Sequence, residues 1–193
     1  LITTTTVEFN SKFKEDLVII NNKIDDQKAG RVIKHLDLIR KKAKNFLKAK
    51  VISINNFPDG TGLSSSASGF AALTLAASKA TGLNLSEKDL SILARQGSGS
   101  ACRSIPDGFV EWLDGDSSET SYARSLYSPD YWGIVDVVAI VSSETKDISS
   151  TDGQKLVSTS PFFHTRKTRM KEKINHFKKS LETKNFTEFG QII

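Results

Sequence analysis

The chain has 193 residues, of which 38% are hydrophobic and 25% charged, with 12 glycines and 4 prolines. This composition is that of an ordinary globular protein and excludes a collagen-like, low-complexity or wholly disordered chain. The single cysteine, Cys102, excludes an intramolecular disulfide and fits a reducing, cytoplasmic environment. No apolar run approaches the roughly 18 residues of a membrane span, and the N-terminus has no signal-peptide pattern.

The net charge of +5 is unevenly distributed, because residues 23–50 carry a local +7 and residues 164–184 a local +6. Both stretches predict amphipathic helices with solvated, lysine-rich outer faces. The alternative is a patch for a small anionic substrate, and no aromatic-interleaved basic stretch supports nucleic-acid binding. The apolar residues at helical spacing are Val32, Leu36, Ile39, Ala43 and Leu47, and then Ile174, Phe177 and Leu181.

Three strands and two helices are predicted over the first half of the chain. A Thr-rich strand over 1–9 and a strand over 16–20 suggest a hairpin. Asp25 and Asp26 can cap a helix over about 28–48, which a strand over 50–55 follows. An Ala/Leu-rich helix over 67–81 ends at Gly82, a typical C-cap placement.

The second half mixes both kinds of element without regular alternation. Ser86 and Asp89 resemble a capping box and open a helix that runs to about Arg95. Strands are predicted over 109–113 and 134–141, the latter being the most apolar and therefore central. A helix over 161–183 and a short one near Thr187 complete the chain. The irregular order predicts the α+β class.

The first glycine-serine stretch, residues 58–69 (the first loop), lies between a predicted strand and a predicted helix. Glycines let successive backbone N–H groups converge, hydroxyls add donors, and a helix N-terminus supplies positive potential, so this stretch is typical of an anion cradle. It is neither a Walker loop nor a Rossmann loop, since Gly-Lys-Ser/Thr and G-x-G-x-x-G are both missing. The alternative is an ordinary serine-rich helix cap.

The second glycine-serine stretch, residues 95–104 (the second loop), combines two glycines, three serines and two arginines. Arg103 can hold a carboxylate or phosphate bidentately, whereas a flexible linker is the alternative interpretation. Cys102 is interpreted as a small buried thiol rather than a nucleophile. The three histidines have no metal-ligand spacing, so no protein-bound structural metal is predicted.

Together the two loops resemble a known family. Pro58-x-x-x-Gly62-Leu63-x-Ser65-Ser66-Ala67 resembles the phosphate-binding motif of the GHMP kinase superfamily. Within it, Asn55-Asn56-Phe57-Pro58 and Arg95-x-Gly97-Ser98-Gly99-Ser100-Ala101-Cys102-Arg103-Ser104 resemble the diphosphomevalonate decarboxylases, as do residues 108–112, residues 149–153 and Arg31. The resemblance covers essentially the whole chain.

The resemblance implies an ATP-dependent carboxy-lyase of the mevalonate pathway of isoprenoid and lipid biosynthesis. Such an enzyme converts mevalonate 5-diphosphate to isopentenyl diphosphate and releases ADP, phosphate and CO2. The implied fold is of the GHMP-kinase type, with residues 1–130 in a ribosomal-S5-like N-terminal domain and residues 131–193 at the start of a ferredoxin-like C-terminal domain. The implied partners are ATP, Mg²⁺ and the small-molecule substrate, without nucleic acid or membrane. Relatives are commonly homodimers.

Roles for individual residues follow from the same resemblance. The residues expected to bind the ATP phosphates are Pro58, Gly60, Gly62, Leu63, Ser64, Ser65, Ser66, Ala67 and Ser68, with Mg²⁺ held through ATP and by Ser66. The residues expected to bind the substrate are Arg31, Ser98, Gly99, Ser100, Ala101, Cys102, Arg103 and Thr151, of which Arg103 and Ser100 are also catalytic. Arg103 is expected to orient the carboxylate.

The chain also departs from the family pattern. Asp59-Gly60-Thr61 and Ser64 replace the usual residues of the first loop, and Ile105-Pro106-Asp107-Gly108 stands where the family has an aromatic residue and two glycines. The family's Tyr-Trp-Gly-Lys motif is expected before Leu1 and its catalytic aspartate beyond Ile193. The chain is therefore expected to be an internal piece that does not catalyse alone. The alternatives are a phosphomevalonate decarboxylase, a mevalonate 3-kinase, or a non-catalytic nucleotide-binding module.

Overall fold

A computed structural model describes residues 1–58, 62–139 and 150–193, except for the side chains of Ser150 and Thr151. The chain divides into two compact units, Leu1–Thr145 and Lys146–Ile193. The first unit contains β1 (Thr3–Asn10), β2 (Leu17–Ile20), α1 (Asp26–Ala43), β3 (Lys48–Asn55), α2 (Ser65–Ala80), α3 (Glu87–Gly97), a 3-10 helix (Gly99–Ser104), β4 (Phe109–Trp112) and β5 (Ala123–Tyr127). The second contains α4 (Ser150–Lys155), a 3-10 turn (Val157–Thr159), α5 (Phe163–Glu182) and α6 (Phe186–Ile192). This irregular mixture confirms the predicted α+β class.

The larger sheet has three strands in the order β1-β3-β2. β3 is antiparallel to β1 and parallel to β2, so that Val51 lies opposite both Val7 and Val18. The predicted hairpin between the first two strands is therefore wrong. Because β3 lies between them, it takes the ladder hydrogen bonds that a hairpin would need.

The first basic stretch forms the amphipathic helix that its spacing predicts. The side chain of Asp25 accepts a hydrogen bond from the Lys28 amide and caps α1. The helix ends before the predicted boundary because Lys44 adopts the left-handed conformation, and residue 48 already belongs to β3. Val32, Leu36 and Ile39 are buried in the core, where α1 packs against β2, α2 and α3.

An ion pair between Arg40 of α1 and Asp16 fixes this helix beside the sheet. Their side chains are only 8% and 5% exposed. Arg40 also donates to Asp37 at 2.8 Å and to the Leu47 carbonyl at 3.0 Å, while Asp16 accepts from the Ala49 amide at 2.7 Å. Burial by itself lowers the pKa of Arg40, but the hydrogen bonds and charges of the two aspartates outweigh it and raise the pKa.

The two helices that carry the loops have the predicted ends. Gly82 follows α2 with a positive φ of 76°, a backbone conformation that glycine adopts without strain. The Ser86 hydroxyl accepts from the Asp89 amide at 3.1 Å and donates to its carboxylate at 2.6 Å, which confirms that Ser86 caps the start of α3.

A two-stranded antiparallel sheet follows the second loop. β4 was predicted, whereas β5 was not. The hydroxyl of Ser91, on α3, donates to the Cys102 carbonyl at 3.0 Å and accepts from the Ala123 amide at 2.9 Å. One buried side chain therefore connects α3, the second loop and β5.

The predicted central strand over 134–141 is wrong for residues 134–139, which form neither helix nor strand. Val135 and Val137 are 82% and 85% exposed. An apolar run becomes a strand only where a neighbouring strand takes its backbone hydrogen bonds, and none of the described strands pairs with this segment. Residues 140 and 141 lie outside the described residues.

The second unit confirms the two predicted C-terminal helices. Leu181 of α5 is buried, but Ile174 is exposed, so the predicted apolar stripe is only partly covered. Phe177 of α5 and Phe189 of α6 place their ring centroids 4.9 Å apart. Across the described parts of both units, no helix has the length and apolarity that crossing a bilayer requires.

Candidate functional site

The first loop enters α2 through two residues with unusual backbone geometry. Gly62 has φ of 100° and Ser64, the N-cap of α2, has φ of 58°. The left-handed conformation costs a residue with a side chain about 1–2 kcal/mol, and such strain is typical of functional turns. The Ser64 hydroxyl does not cap the helix. Pro58 is exposed, whereas Gly60 lies outside the described residues.

The residues that begin α2 alternate between exposed and buried positions. Ser64 and Ser66 are exposed, Leu63 and Ser65 are half-buried, and Ala67 is buried. The first amides of a helix have no intrahelical acceptor and carry partial positive charge. Exposed hydroxyls beside such amides form a surface suited to anionic oxygen atoms.

The Ser68 side chain has a different environment from the other serines. Its hydroxyl lies 2.8 Å from Thr3 Oγ1 and 3.3 Å from the Ser65 carbonyl oxygen. Thr3 Oγ1 in turn lies 2.7 Å from Asn55 Oδ1. Ser68 therefore ties the start of α2 to β1 and β3, and its hydroxyl is engaged within the protein.

The second loop leaves α3 at an unusually tight glycine. A Cβ atom at Gly97 would lie 2.2 Å from Phe70 Cδ1 and 2.9 Å from His35 Nδ1, so no larger residue fits without displacement. Arg31 of α1 donates to the Gly97 carbonyl at 3.4 Å, and its guanidinium lies 5.2 Å from the centroid of the Phe70 ring. The predicted substrate residue Arg31 therefore lies at the base of the second loop.

Buried residues anchor the 3-10 helix of the second loop, and polar residues cover it. Ala101 and Cys102 are fully buried, Ser98 and Ser100 are half-buried, and Arg103 is exposed. The Cys102 thiol donates to the Gly99 carbonyl at 3.1 Å. Burial raises its pKa despite the nearby charges of Arg103 and Arg95. This environment agrees with the predicted buried thiol and not with a nucleophile.

The two loops meet at their serines. Ser66 Oγ of the first loop lies 3.4 Å from Ser98 Oγ of the second. Beyond this contact, the Arg103 guanidinium lies 5.7 Å from the centroid of the Trp112 ring. The contact thus joins the serine-rich start of α2 to a loop with an exposed cation. The side chain of Thr151 lies outside the described residues.

The described part of the chain contains no group of three or more His, Cys, Asp or Glu side chains that could hold a metal ion. Mg²⁺ bound with a nucleotide usually takes one or two protein ligands and otherwise phosphate oxygens and water. The exposed Ser66 hydroxyl fits that limited role.

A depression of about 400 Å³ lined by Leu38, Lys41 and Ile92 lies between α1 and α3. None of the predicted site residues lines this depression. The candidate site is therefore assigned to the contact between the two loops.

Four residues that contact the two loops have no site role predicted from the sequence: His35, Phe70, Thr3 and Trp112. His35 and Phe70 pack edge to face with ring centroids 5.3 Å apart, and His35 Nε2 lies 2.8 Å from the Thr74 hydroxyl. Burial lowers the pKa of His35 from 6.5 to about 4. Its position three residues after Val32 on the buried helix face was the available signal.

Two family models match the chain. The diphosphomevalonate decarboxylase-like N-terminal domain matches residues 1–123, and the mevalonate 5-diphosphate decarboxylase C-terminal domain matches residues 136–193. Diphosphomevalonate decarboxylases from Ganoderma lucidum and Homo sapiens are 35% and 33% identical to it across the whole chain. The chain spans 52% of the length of each of these relatives.

Solved structures agree with these matches. The mevalonate diphosphate decarboxylase of Enterococcus faecalis is 37% identical, with a TM-score of 0.85 over 98% of this chain and 58% of its own. The Staphylococcus aureus enzyme is 34% identical, with a TM-score of 0.86 over 98% of this chain and 58% of its own. A further structure, described as MDDEF in complex with MVAPP, AMPPCP and magnesium, is 39% identical with a TM-score of 0.85 and covers 98% of this chain and 59% of its own.

Proposed function

The chain belongs to the diphosphomevalonate decarboxylase family, and on that premise we propose that its two loops bind ATP and mevalonate 5-diphosphate for ATP-dependent decarboxylation to isopentenyl diphosphate. The observation that carries the proposal is the 3.4 Å approach of Ser66 Oγ and Ser98 Oγ, which brings the serine-rich start of α2 beside a loop with an exposed arginine. The relative solved with MVAPP, AMPPCP and magnesium supports the choice of ligands.

In this proposal the first loop holds the phosphates of ATP. The first amides of α2 and the exposed hydroxyls of Ser64 and Ser66 face the phosphate oxygens. Gly60 and Gly62 let the backbone approach them closely, and Pro58 and Leu63 shape the turn. The buried Ala67 and the Thr3-bonded Ser68 support this surface from beneath, and Ser65 contributes its backbone.

Mg²⁺, when bound with the nucleotide, supplies positive charge that offsets the charge of the phosphates. Among the side chains of the described residues, we assign the Ser66 hydroxyl as a ligand of Mg²⁺. Ser66 then has two neighbours, the nucleotide and Ser98.

The second loop holds the substrate. Arg103 binds the carboxylate and keeps it in the orientation needed for loss of CO2. Ser98 and Ser100 donate hydroxyl hydrogen bonds, with Ser100 next to the reacting group. Gly99, Ala101 and Cys102 contribute backbone contacts, since the side chains of the last two are buried. Arg31 and Thr151 bind the substrate diphosphate.

The reaction needs ATP because a tertiary hydroxyl is a poor leaving group. Its oxygen attacks the γ-phosphorus, the bond to the β-phosphate oxygen breaks, ADP leaves, and the hydroxyl proton passes to a base. The C3–O bond then breaks and releases phosphate. Electrons of the C1–C2 bond form the C2=C3 double bond as CO2 departs, so that Arg103 and the serines act by positioning and electrostatics.

The remaining expectations stay predictions. They are a ribosomal-S5-like domain over 1–130, the beginning of a ferredoxin-like domain over 131–193, a homodimer, and a cytoplasmic location. We include them in the proposal, and the two family matches support the division into two domains.

Substrate preference tests the proposal. The complete protein is assayed with ATP, Mg²⁺ and, in turn, mevalonate, mevalonate 5-phosphate and mevalonate 5-diphosphate. We expect kcat/KM to be highest for the diphosphate by at least about 100-fold, since each lost charge-assisted contact removes roughly 1.5–3 kcal/mol. A preference for the monophosphate identifies a phosphomevalonate decarboxylase instead.

A further inference from the structure

Trp112, the last residue of β4, contacts the second loop at two places. Its ring centroid lies 5.7 Å from Cζ of Arg103. Its outer edge lies against Gly99, where an added Cβ would be 3.4 Å from Trp112 Cη2. The indole therefore lies beside both Arg103 and Gly99 of the loop.

A hydrogen bond holds the indole in this position. Trp112 Nε1 donates to Ser121 Oγ at 3.0 Å. Ser121 lies in the connection between β4 and β5, where the Leu113 amide donates to the Tyr122 carbonyl at 2.9 Å. The indole is thus held by the connection between β4 and β5 and not by the second loop.

A guanidinium above an aromatic face is confined in its position while its N–H edge stays available. The interaction is with the face of the cation, whereas a carboxylate binds in the plane of the fork. An arginine held in this way keeps its two parallel donors ready for a carboxylate. An arginine without such a support must lose side-chain entropy when the substrate binds.

The exposure of Trp112 argues against a purely structural role. Trp112 is 38% exposed and is not one of the residues of the buried core cluster. We propose that Trp112 is a positioning residue that fixes the Arg103 guanidinium for the substrate carboxylate. This inference rests on the role proposed above for Arg103.

Steady-state kinetics of the complete protein test the inference. W112L removes the aromatic face, and we expect kcat with mevalonate 5-diphosphate to fall by about 3- to 10-fold while KM for ATP stays unchanged. W112F keeps a ring and restores kcat to within about 2-fold of wild type. S121A removes only the anchor of the indole and gives an intermediate kcat.

Tyr122 provides the matched control, because Lys88 Nζ lies 4.7 Å from the centroid of its ring. Y122L removes another aromatic face beneath a cation, and that cation is Lys88 rather than Arg103. We expect Y122L to keep the wild-type kcat. A fall in kcat equal to that of W112L, with equal loss of thermal stability, assigns Trp112 a structural role and overturns the inference.

Fluorescence of the ligand-free protein separates the contact from the activity. In a variant of the complete protein in which every tryptophan except Trp112 is replaced by phenylalanine, including Trp132 of this chain, R103A should shift the Trp112 emission, whereas R124A should not. An unchanged emission overturns the inference whatever the kinetics show. A wild-type protein that consumes no mevalonate 5-diphosphate refutes the proposed function, while this optical measurement still decides whether Arg103 lies on Trp112.

Discussion

Ser66 Oγ and Ser98 Oγ lie 3.4 Å apart, although 32 residues separate them along the chain. The first belongs to the loop that we assign to ATP and the second to the loop that we assign to the substrate. A displacement of either serine therefore changes the contact that the other serine makes. In the proposed function, this contact joins the ATP-binding and the substrate-binding loop into one site.

This contact predicts that the two serines are energetically coupled. S66A should raise KM for ATP and S98A should raise KM for mevalonate 5-diphosphate, each by about 5-fold, the value of one hydrogen bond. In the S66A/S98A double variant, the loss of binding free energy calculated from the kinetic constants should differ from the sum of the two single-variant losses by at least about 0.5 kcal/mol. Strict additivity would mean that the two loops act independently.

Gly97 is predicted to tolerate no side chain. In G97A the added Cβ would lie 2.2 Å from Phe70 Cδ1, so the loop or the core must shift. We expect the free energy of unfolding to fall by about 1–3 kcal/mol and kcat/KM to fall with it. G30A is the control, because nothing lies within 4 Å of its Cβ and alanine favours the helix by about 0.5–1 kcal/mol. Urea unfolding that ranks G97A as stable as wild type contradicts the close contact.

The buried His35 predicts a pH dependence of stability. Burial lowers its pKa from 6.5 to about 4, so the unfolded chain binds a proton at a higher pH than the folded protein does. The free energy of unfolding should therefore fall by about 3 kcal/mol as the pH falls from about 7 to 4. Urea titrations should show that H35Q lacks this loss, whereas H176Q, at an exposed position, keeps it. Equal slopes in wild type and H35Q would contradict the assignment.

The ion pair of Arg40 and Asp16 predicts an asymmetry between two aspartates. D16N leaves a buried guanidinium with a weaker partner and should cost about 3–5 kcal/mol of unfolding free energy. D37N removes the other carboxylate that Arg40 contacts, but that carboxylate is 62% exposed and should cost less than about 1 kcal/mol. Thermal unfolding compares the two variants directly. Equal losses would show that the Asp16 pair is not shielded from solvent.

Arg103 is predicted to be the most sensitive side chain of the second loop. In the complete protein R103A should lower turnover by at least about 100-fold, because the carboxylate loses its orienting partner. R124A removes another exposed arginine, which pairs with Glu111 at 3.2 Å, and should have little effect. Near-normal turnover of R103A would remove the role assigned to Arg103.

Local chemistry made parts of this structure predictable from the sequence. The Asp25 cap, the Ser86 cap and Gly82 each depend on residues within a few positions of one another, and all three are confirmed. The first loop and the second loop were likewise recognised from contiguous residues. The roles of their individual residues stay predictions.

Long-range pairing was not predictable in the same way. The order β1-β3-β2 depends on a strand that follows later in the chain, so adjacency in sequence favoured the wrong hairpin. The apolar run at 134–139 met the pattern of a strand without a described neighbour to pair with. Trp112 and His35 acquire significance only through Arg103 and Gly97, which the sequence does not place beside them.

The central claim is that one site couples ATP cleavage to loss of CO2. The direct measurement is the ratio of ADP to CO2 that the complete protein releases from mevalonate 5-diphosphate with ATP and Mg²⁺. Coupled chemistry predicts equal amounts of both products, formed at the same rate. ADP without CO2, the outcome for a 3-kinase, or neither product, the outcome for a binding module, would contradict the account.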